Sequence, residues 1–283
     1  MTNATLYIVA TPIGNLEDMT CRAVRILGEV DLIAAEDTRH SLKLLNHFGI
    51  SKPMTSYFDH NQQFKGERIL NALRLGKSVA LISDAGTPCI SDPGFQLVRD
   101  AVAEKINVVA VPGACAAITA LSASGLPTDI FSFAGFPPSK KGKRRTFLAG
   151  MNSLPGTLVL YEAPHRLLET LSDIREMLGE RLVIVARELT KMFEECIRGN
   201  VSEVMEVISQ GSVRGEVVIL IASGEVALEE PEVLMNVIQG LMSDGTLSIR
   251  DISKQAALIA GVSRSEAYAE VLKLRNDFVT EGS

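Results

Sequence analysis

The sequence predicts an α/β chain of two consecutive α/β domains with a small helical tail, and three observations predict it. First, apolar runs of strand length alternate with segments of helical period through the first 117 residues, the signature of a parallel sheet with crossover helices. Second, three of those strands run straight into loops of small residues, at 11–16, 83–92 and 112–116. Third, strand-like runs follow one another more closely after residue 117, and an acidic, patternless stretch at 223–231 precedes three helical segments. The implied domains are 1–117 with a parallel sheet, 118–226 with a mixed sheet, and 227–283, helical and like a helix-turn-helix.

In order, Leu6–Ala10 reads as a strand and TPIGNLEDMT as a loop, followed by a helix to about Leu27. Leu32–Ala35 is a second strand, ending in Glu36, Asp37, Thr38 and Arg39. A helix over 40–48 stops at Gly49, a natural helix terminator. A short strand at 55–58 and a helix over 62–75 lead to the strand Val79–Ile82. Asp92-Pro93 reads as a cap and first-turn proline opening a helix over 93–104, followed by a strand at Asn107–Val111. Beyond 117, Asp129–Gly135 is apolar, and SKKGKRR at 139–145 reads as exposed. Strands are expected at 157–161, 182–186, 192–197 and 216–222, with helices over 165–178 and 202–209. His165 fits the first turn of its helix better than a catalytic role. The tail has helical segments at 232–243, at 248–260 and after the turn at 261–263.

Composition bounds the function. The net charge of −6 excludes a general nucleic-acid binder, so an anionic partner must meet a local basic patch. Cys21, Cys89, Cys115 and Cys196 are far apart and form no CxxC, which argues against zinc and a disulfide framework and fits a reducing cytoplasm. No basic leader segment and no apolar run of roughly 18 residues is present, so neither secretion nor a membrane is expected.

The stretch 79–94, VALISDAGTPCISDPG, organises the chain. It reads strand, loop, helix start, and in open α/β sheets ligands bind at the carboxyl ends of strands. Gly86 can take a positive φ and lets a ligand approach the backbone. GxxxxGK[ST] is absent, as is GxGxxG after the first strand, which disfavours ATP and NAD. HExxH and GxSxG are also absent. What remains is a set of small-residue loops offering backbone donors and acceptors with few basic side chains. That suits a ligand with an adenosine and an amino-acid portion and no phosphates, such as S-adenosylmethionine.

Seven ordered motifs, LYIVATPIGNLEDMT, AAEDTR, LISDAGTPCISDPG, VPGACAAITALSASGLP, FAGFPP, YEAPHRLLETL and ARELTKMFEE, resemble the ribosomal RNA small subunit methyltransferase I family of the tetrapyrrole methylase superfamily. The resemblance covers roughly residues 5–222, and the tail resembles that family's C-terminal helical domain. It implies α/β domains of the tetrapyrrole methylase type with S-adenosylmethionine in the cleft between them, and a homodimer. It also implies methylation of the ribose 2′-OH of a decoding-centre cytidine in 16S rRNA. By the same resemblance Asp84, Ala85, Gly86 and Thr87 match the cofactor loop, and Pro112, Gly113 and Ala116 the next loop. Tyr161, Glu162 and Ala163 match the second domain's cofactor-facing segment, and Gly14 the N-terminal loop beside cofactor and substrate. Porphyrin- and corrin-precursor methylases typically carry a GDP-like central loop. This chain reads SDAGTP and lacks their N-terminal glycine pattern, which tilts its substrate away from tetrapyrroles.

A ribose hydroxyl is a poor nucleophile, so a base or an orienting acceptor would help. Glu36, Asp37 and Glu188, each at a strand end, are the candidates, and Arg39 and Arg187 could hold phosphates. The same residues are equally able to form ion pairs, Asp37 with Arg39 or Arg187 with Glu188. Lys140, Lys141, Lys143, Arg144 and Arg145 follow FAGFPP and are expected to project as an RNA-binding loop. Two other readings stay open. One is a small-molecule methylase on the same fold, favoured by the acidic net charge and opposed by the basic segment. The other is a DNA-binding regulator acting through 232–283, opposed by the acids mixed with Lys254, Arg264, Lys273 and Arg275.

Overall fold

The computed structural model describes residues 4–58, 62–211, 215–224, 231–243, 247–260 and 264–280. The chain divides into two compact units between Ala222 and Ser223, and the first unit carries both sheets. The division expected at 226/227 lies outside the described residues.

The first sheet contains β1 (Thr5–Val9), β2 (Leu32–Ala35), β3 (Met54–Ser56), β4 (Val79–Ile82) and β5 (Asn107–Val111). All its pairings are parallel, in the order β3-β2-β4-β1-β5. β4 is buried along its whole length because helices cover both faces, which is why it reads as an unbroken apolar run. Ala80 and Ile82 pack with α1 (Cys21–Glu29) and α2 (Thr38–His47), while Val79 and Leu81 pack with α3 (Gln62–Arg74) and α4 (Phe95–Ala103). From β1 the chain crosses toward β2, and from β4 it crosses the other way to β5. The carboxyl ends of β1 and β4 therefore flank the switch in winding direction, where such sheets bind ligands.

The second sheet contains β6 (Phe131–Phe133), β7 (Thr157–Glu162), β8 (Leu182–Arg187), β9 (Glu195–Asn200) and β10 (Val217–Ile221), in the order β6-β7-β10-β8-β9. β6 and β7 are parallel and the other pairs antiparallel, giving the expected mixed sheet. One face is covered by α6 (Lys141–Met151), α7 (Leu167–Leu178) and α8 (Val201–Ser209). The other packs on α5 (Ala116–Ser124) and on Ile13, Ala85 and Ala114 from the loops of the first sheet. The position 117/118 falls inside α5.

Three local expectations fail for identifiable reasons. The strand expected at 192–197 begins at Glu195, because Glu188 and Thr190 take positive φ and a turn occupies 188–194. The helix after the central loop begins at Phe95 with Gly94 as its cap, so Asp92 is released from capping. The basic segment is no projecting loop: Lys141–Arg145 open α6, and Arg144 is 1% exposed.

The second unit holds α9 (Pro231–Ser243), α10 (Ile249–Ala260) and α11 (Arg264–Thr280). Its core includes Ile238, Ile252, Ala256, Ala267 and Val271. The turn at 261–263 and most of the linker lie outside the described residues. Among the described residues no helix is long and apolar enough to cross a membrane.

Candidate functional site

The loops that follow β1 and β4 are tied to each other. Thr11 N donates to Gly86 O at 2.8 Å and Gly86 N to Thr11 O at 3.0 Å, while the Thr11 hydroxyl donates to Ser83 O at 3.1 Å. Gly86 sits at φ 79°, a backbone state that costs any other L-residue about 1–2 kcal/mol. Thr87 Oγ1 donates to Ala114 O at 3.2 Å, joining the third small-residue loop to the other two. The three loops thus form one shelf, with the residues after β7 opposite.

Between them lies a cavity of about 420 Å³, within the range of small-molecule sites. Asp84, Ala85, Gly86, Thr87, Ala116, Tyr161, Glu162 and Ala163 line it. Its charge is one-sided: Glu36, Asp84, Asp92, Glu162 and Glu216 line it, and among the described lining residues there is no Lys, Arg or His. The Glu162 carboxylate is committed within the fold. It accepts from Ala163 N at 2.8 Å and Thr170 Oγ1 at 2.5 Å, and pairs with Arg166 at 3.3 Å. Tyr161 stands edge-on to Phe133 and Phe136, with centroids 4.9 and 5.5 Å apart, and its hydroxyl accepts from Ala117 N at 3.2 Å. Burial, with Cys115 nearby, pushes the Tyr161 phenol up to about 12, so it stays neutral.

A second cavity of about 350 Å³ shares Ile13, Asp84, Ala85 and Glu216 with the first. Its charge differs, for His40, Lys43 and Lys191 line it beside Gly14. His40 and Lys43 are three residues apart on α2 and share a face. Lys191 Nζ lies 2.8 Å from Glu188 Oε1 and 3.4 Å from Glu216. Burial works against its charge but the bond to Glu188 outweighs that and raises Lys191; the same bond lowers Glu188. Gly14 permits this approach, since an added Cβ would come to 2.5 Å from Lys191 Cγ.

Of the three candidate bases, only Glu36 reaches a cavity, where its Oε2 accepts from Asp84 N at 3.4 Å. Asp37 instead caps α2, accepting from Arg39 N at 2.8 Å, and pairs with the Arg39 side chain at 3.1 Å. Glu188 is taken up by Lys191 and by Glu216 N. Arg187 pairs with Glu195 at 2.5 Å rather than with Glu188. Pro112 and Gly113 line neither cavity; Gly113 is a close-packing point, where a Cβ would come to 2.9 Å from Ala10 Cβ.

Arg144 and Arg145 do not present themselves to a phosphate backbone. Arg144 Nε donates to Asp173 at 2.7 Å, and Arg145 to the other Asp173 oxygen at 2.8 Å and to Glu176. These ions clamp α6 onto α7. Lys140, Lys141 and Lys143 stay exposed at the start of α6, against the helix dipole, an arrangement that an anion would relieve. Sequence reasoning missed Asp92, Phe136, His40, Lys43, Lys191 and Glu216 as lining residues. For His40 and Lys43 the helical spacing was a usable signal; for the others only the tertiary fold supplies one.

A family model described as Tetrapyrrole (Corrin/Porphyrin) Methylases matches residues 5–205. A Pseudomonas aeruginosa protein named Ribosomal RNA small subunit methyltransferase I is 47% identical, over 96% of this chain and 98% of its own length. A Synechocystis protein of the same name is 46% identical, over 96% and 99%. Among solved structures, cobalt precorrin-4 methyltransferase (CbiF) aligns with a TM-score of 0.58 at 17% identity, covering 78% of this chain and 95% of its own. Uroporphyrin-III C-methyl transferase from Thermus thermophilus complexed with S-adenyl homocysteine gives 0.53 at 21%, over 79% and 98%. At those identities the solved structures speak for the fold.

Proposed function

The chain belongs to the ribosomal RNA small subunit methyltransferase I family of tetrapyrrole methylases, and from that premise we propose that it methylates the ribose 2′-OH of a decoding-centre cytidine in 16S rRNA, using S-adenosylmethionine. The observation that carries the reading is the division of charge between two joined cavities. The acidic, phosphate-averse cavity fits a cofactor that is itself cationic, with its sulfonium and ammonium groups. The second cavity, where Lys43 and Lys191 balance Asp84 and Glu216, supplies the cations that a phosphodiester strand needs.

S-adenosylmethionine, when bound, supplies an activated methyl group at its sulfonium. The loop 84–87, Ala116 and Tyr161–Ala163 would hold it, and Asp84 and Asp92 offer carboxylates to its positive groups. His40 and Lys43 orient the acceptor nucleotide through its phosphates. Met192 and Phe193, 90% and 73% exposed beside Lys191, offer apolar faces to neighbouring bases. Holding acceptor and donor in line contributes about 7–11 kcal/mol by effective molarity. Glu36, next to Asp84 where the cavities meet, accepts the ribose proton. Lys140, Lys141 and Lys143 extend the phosphate-binding track. The protein works in the cytoplasm as a homodimer. Phe95 and Val102, seven residues apart on one face of α4 and largely exposed, are apolar enough to be covered by a second copy.

The test is a double dissociation. Gly86→Val, strained at a positive φ and placing bulk beside Ile13, weakens S-adenosylmethionine binding in calorimetry at least tenfold and leaves affinity for small-subunit rRNA unchanged. Lys43→Glu does the reverse, weakening RNA binding about tenfold with cofactor affinity intact. Both ligands lost together in either variant, or labelled methyl passing to a tetrapyrrole precursor and not to RNA, would contradict the reading.

A further inference from the structure

We propose that the C-terminal unit carries its own RNA-strand site, in the groove between α10 and α11. The inference rests on the proposed rRNA substrate only for the kind of nucleic acid; the groove itself stands on its own geometry. About 1010 Å³ in volume, it is lined from α10 by Arg250 and Lys254 and from α11 by Arg264 and Tyr268. Each pair is spaced four residues apart, so each occupies one helix face, and the two faces line the same groove.

Three features make this an anion site rather than a solvated surface. Arg250 and Lys254 place like charges one turn apart, which disfavours an isolated helix. Arg264 stands at the first residue of α11, where the helix dipole disfavours a cation and favours a bound anion. Among the described residues no carboxylate pairs with any of these three cations. Among the described lining residues the one acid, Asp251, is held by the Ser248 hydroxyl at 2.6 Å at the start of α10, so those residues carry two more positive than negative charges on a protein of net charge −6.

Tyr268, 46% exposed among these cations, decides the class of anion. A basic groove with an open aromatic face is the arrangement that grips single-stranded nucleic acid, cations on phosphates and the ring on a base. Lys273 lies outside the groove and pairs with Glu270 on α11. A strand held here tethers the substrate at a second point, so it adds affinity without entering the chemistry.

The experiment uses the full chain and small-subunit rRNA over 50–200 mM salt. Arg250→Ala/Lys254→Ala/Arg264→Ala flattens the slope of log affinity against log salt by about two, at roughly 0.7 per phosphate contact. Tyr268→Ala weakens binding about tenfold with no change of slope. S-adenosylmethionine affinity and helical circular dichroism match wild type in both variants, and Lys273→Ala leaves the slope unchanged. Parallel salt lines for wild type and triple variant overturn the proposal. So does a competition in which duplex DNA displaces the RNA at equal concentration through the same residues, which would make the groove a duplex reader. If wild type fails to methylate the RNA while the groove variants still change the slope, the catalytic reading falls and this one stands.

Discussion

Glu36→Gln lowers the single-turnover rate of methyl transfer to small-subunit rRNA by about 10²–10⁴-fold, the usual contribution of a positioned base, with S-adenosylmethionine affinity unchanged. Glutamine keeps an oxygen to accept from Asp84 N, so the loop holds its shape and only the proton acceptor is lost. Two companion variants give the comparison its force. Asp37→Asn retains a good helix cap and removes an exposed pair with Arg39, which contributes little. Glu188→Gln weakens the hold on Lys191, which affects RNA affinity before the rate. Both stay within a few-fold of wild type at saturating RNA. A uniform fall across the three, or a full rate in Glu36→Gln, would remove Glu36 from the chemistry.

Arg144→Ala costs about 3 kcal/mol of stability, the low end for breaking a buried ion pair. The cost arises because Asp173, 1% exposed, keeps its charge and loses one of two guanidinium partners. For a unit of this size that is a fall of roughly 6–12 °C in melting temperature. Lys141→Ala and Lys143→Ala, both exposed, stay within about 0.5 kcal/mol of wild type. Acid provides the complementary test. Burial works against ionisation of Asp173, yet the bonds from Arg145 and Arg144 outweigh it and hold the carboxyl below its usual range. A carboxyl depressed in the folded state stabilises fully above its unfolded pKa of about 3.9, and that contribution disappears as pH falls through the folded value. The stability gap between wild type and Arg144→Ala therefore stays constant from neutrality down to about pH 4 and narrows below it. A melting temperature unchanged by Arg144→Ala would return Arg144 to the set of available surface cations.

What could be read from the chain divides along physical lines. Strands buried on both faces, such as Val79–Ile82, and glycine stops such as Gly49 and Gly179 at positive φ announce themselves locally. So did the central loop, whose residues 84–87 line the cavity. The basic run misled because charge in sequence says nothing of its partners. Lys141–Met151 is helical, and the carboxylates that neutralise Arg144 and Arg145 lie 25 to 31 positions away on α7. Strand-end acids were ambiguous for the same reason, since only the fold distinguishes Glu36 in a cavity from Asp37 on a helix cap. The acidic character of one cavity and the cations of its neighbour were invisible in sequence, because their residues come from segments spread between positions 12 and 218.

Nucleoside mapping by mass spectrometry tests the central claim most directly. Small ribosomal subunits from cells lacking this protein are incubated with the purified protein and S-adenosylmethionine carrying a deuterated methyl group, then digested and mapped. The account predicts the label on the 2′-oxygen of one cytidine in the decoding centre, absent when Glu36→Gln replaces wild type. Label on a base carbon or nitrogen, or on no RNA at all under conditions where the cofactor binds, would contradict it.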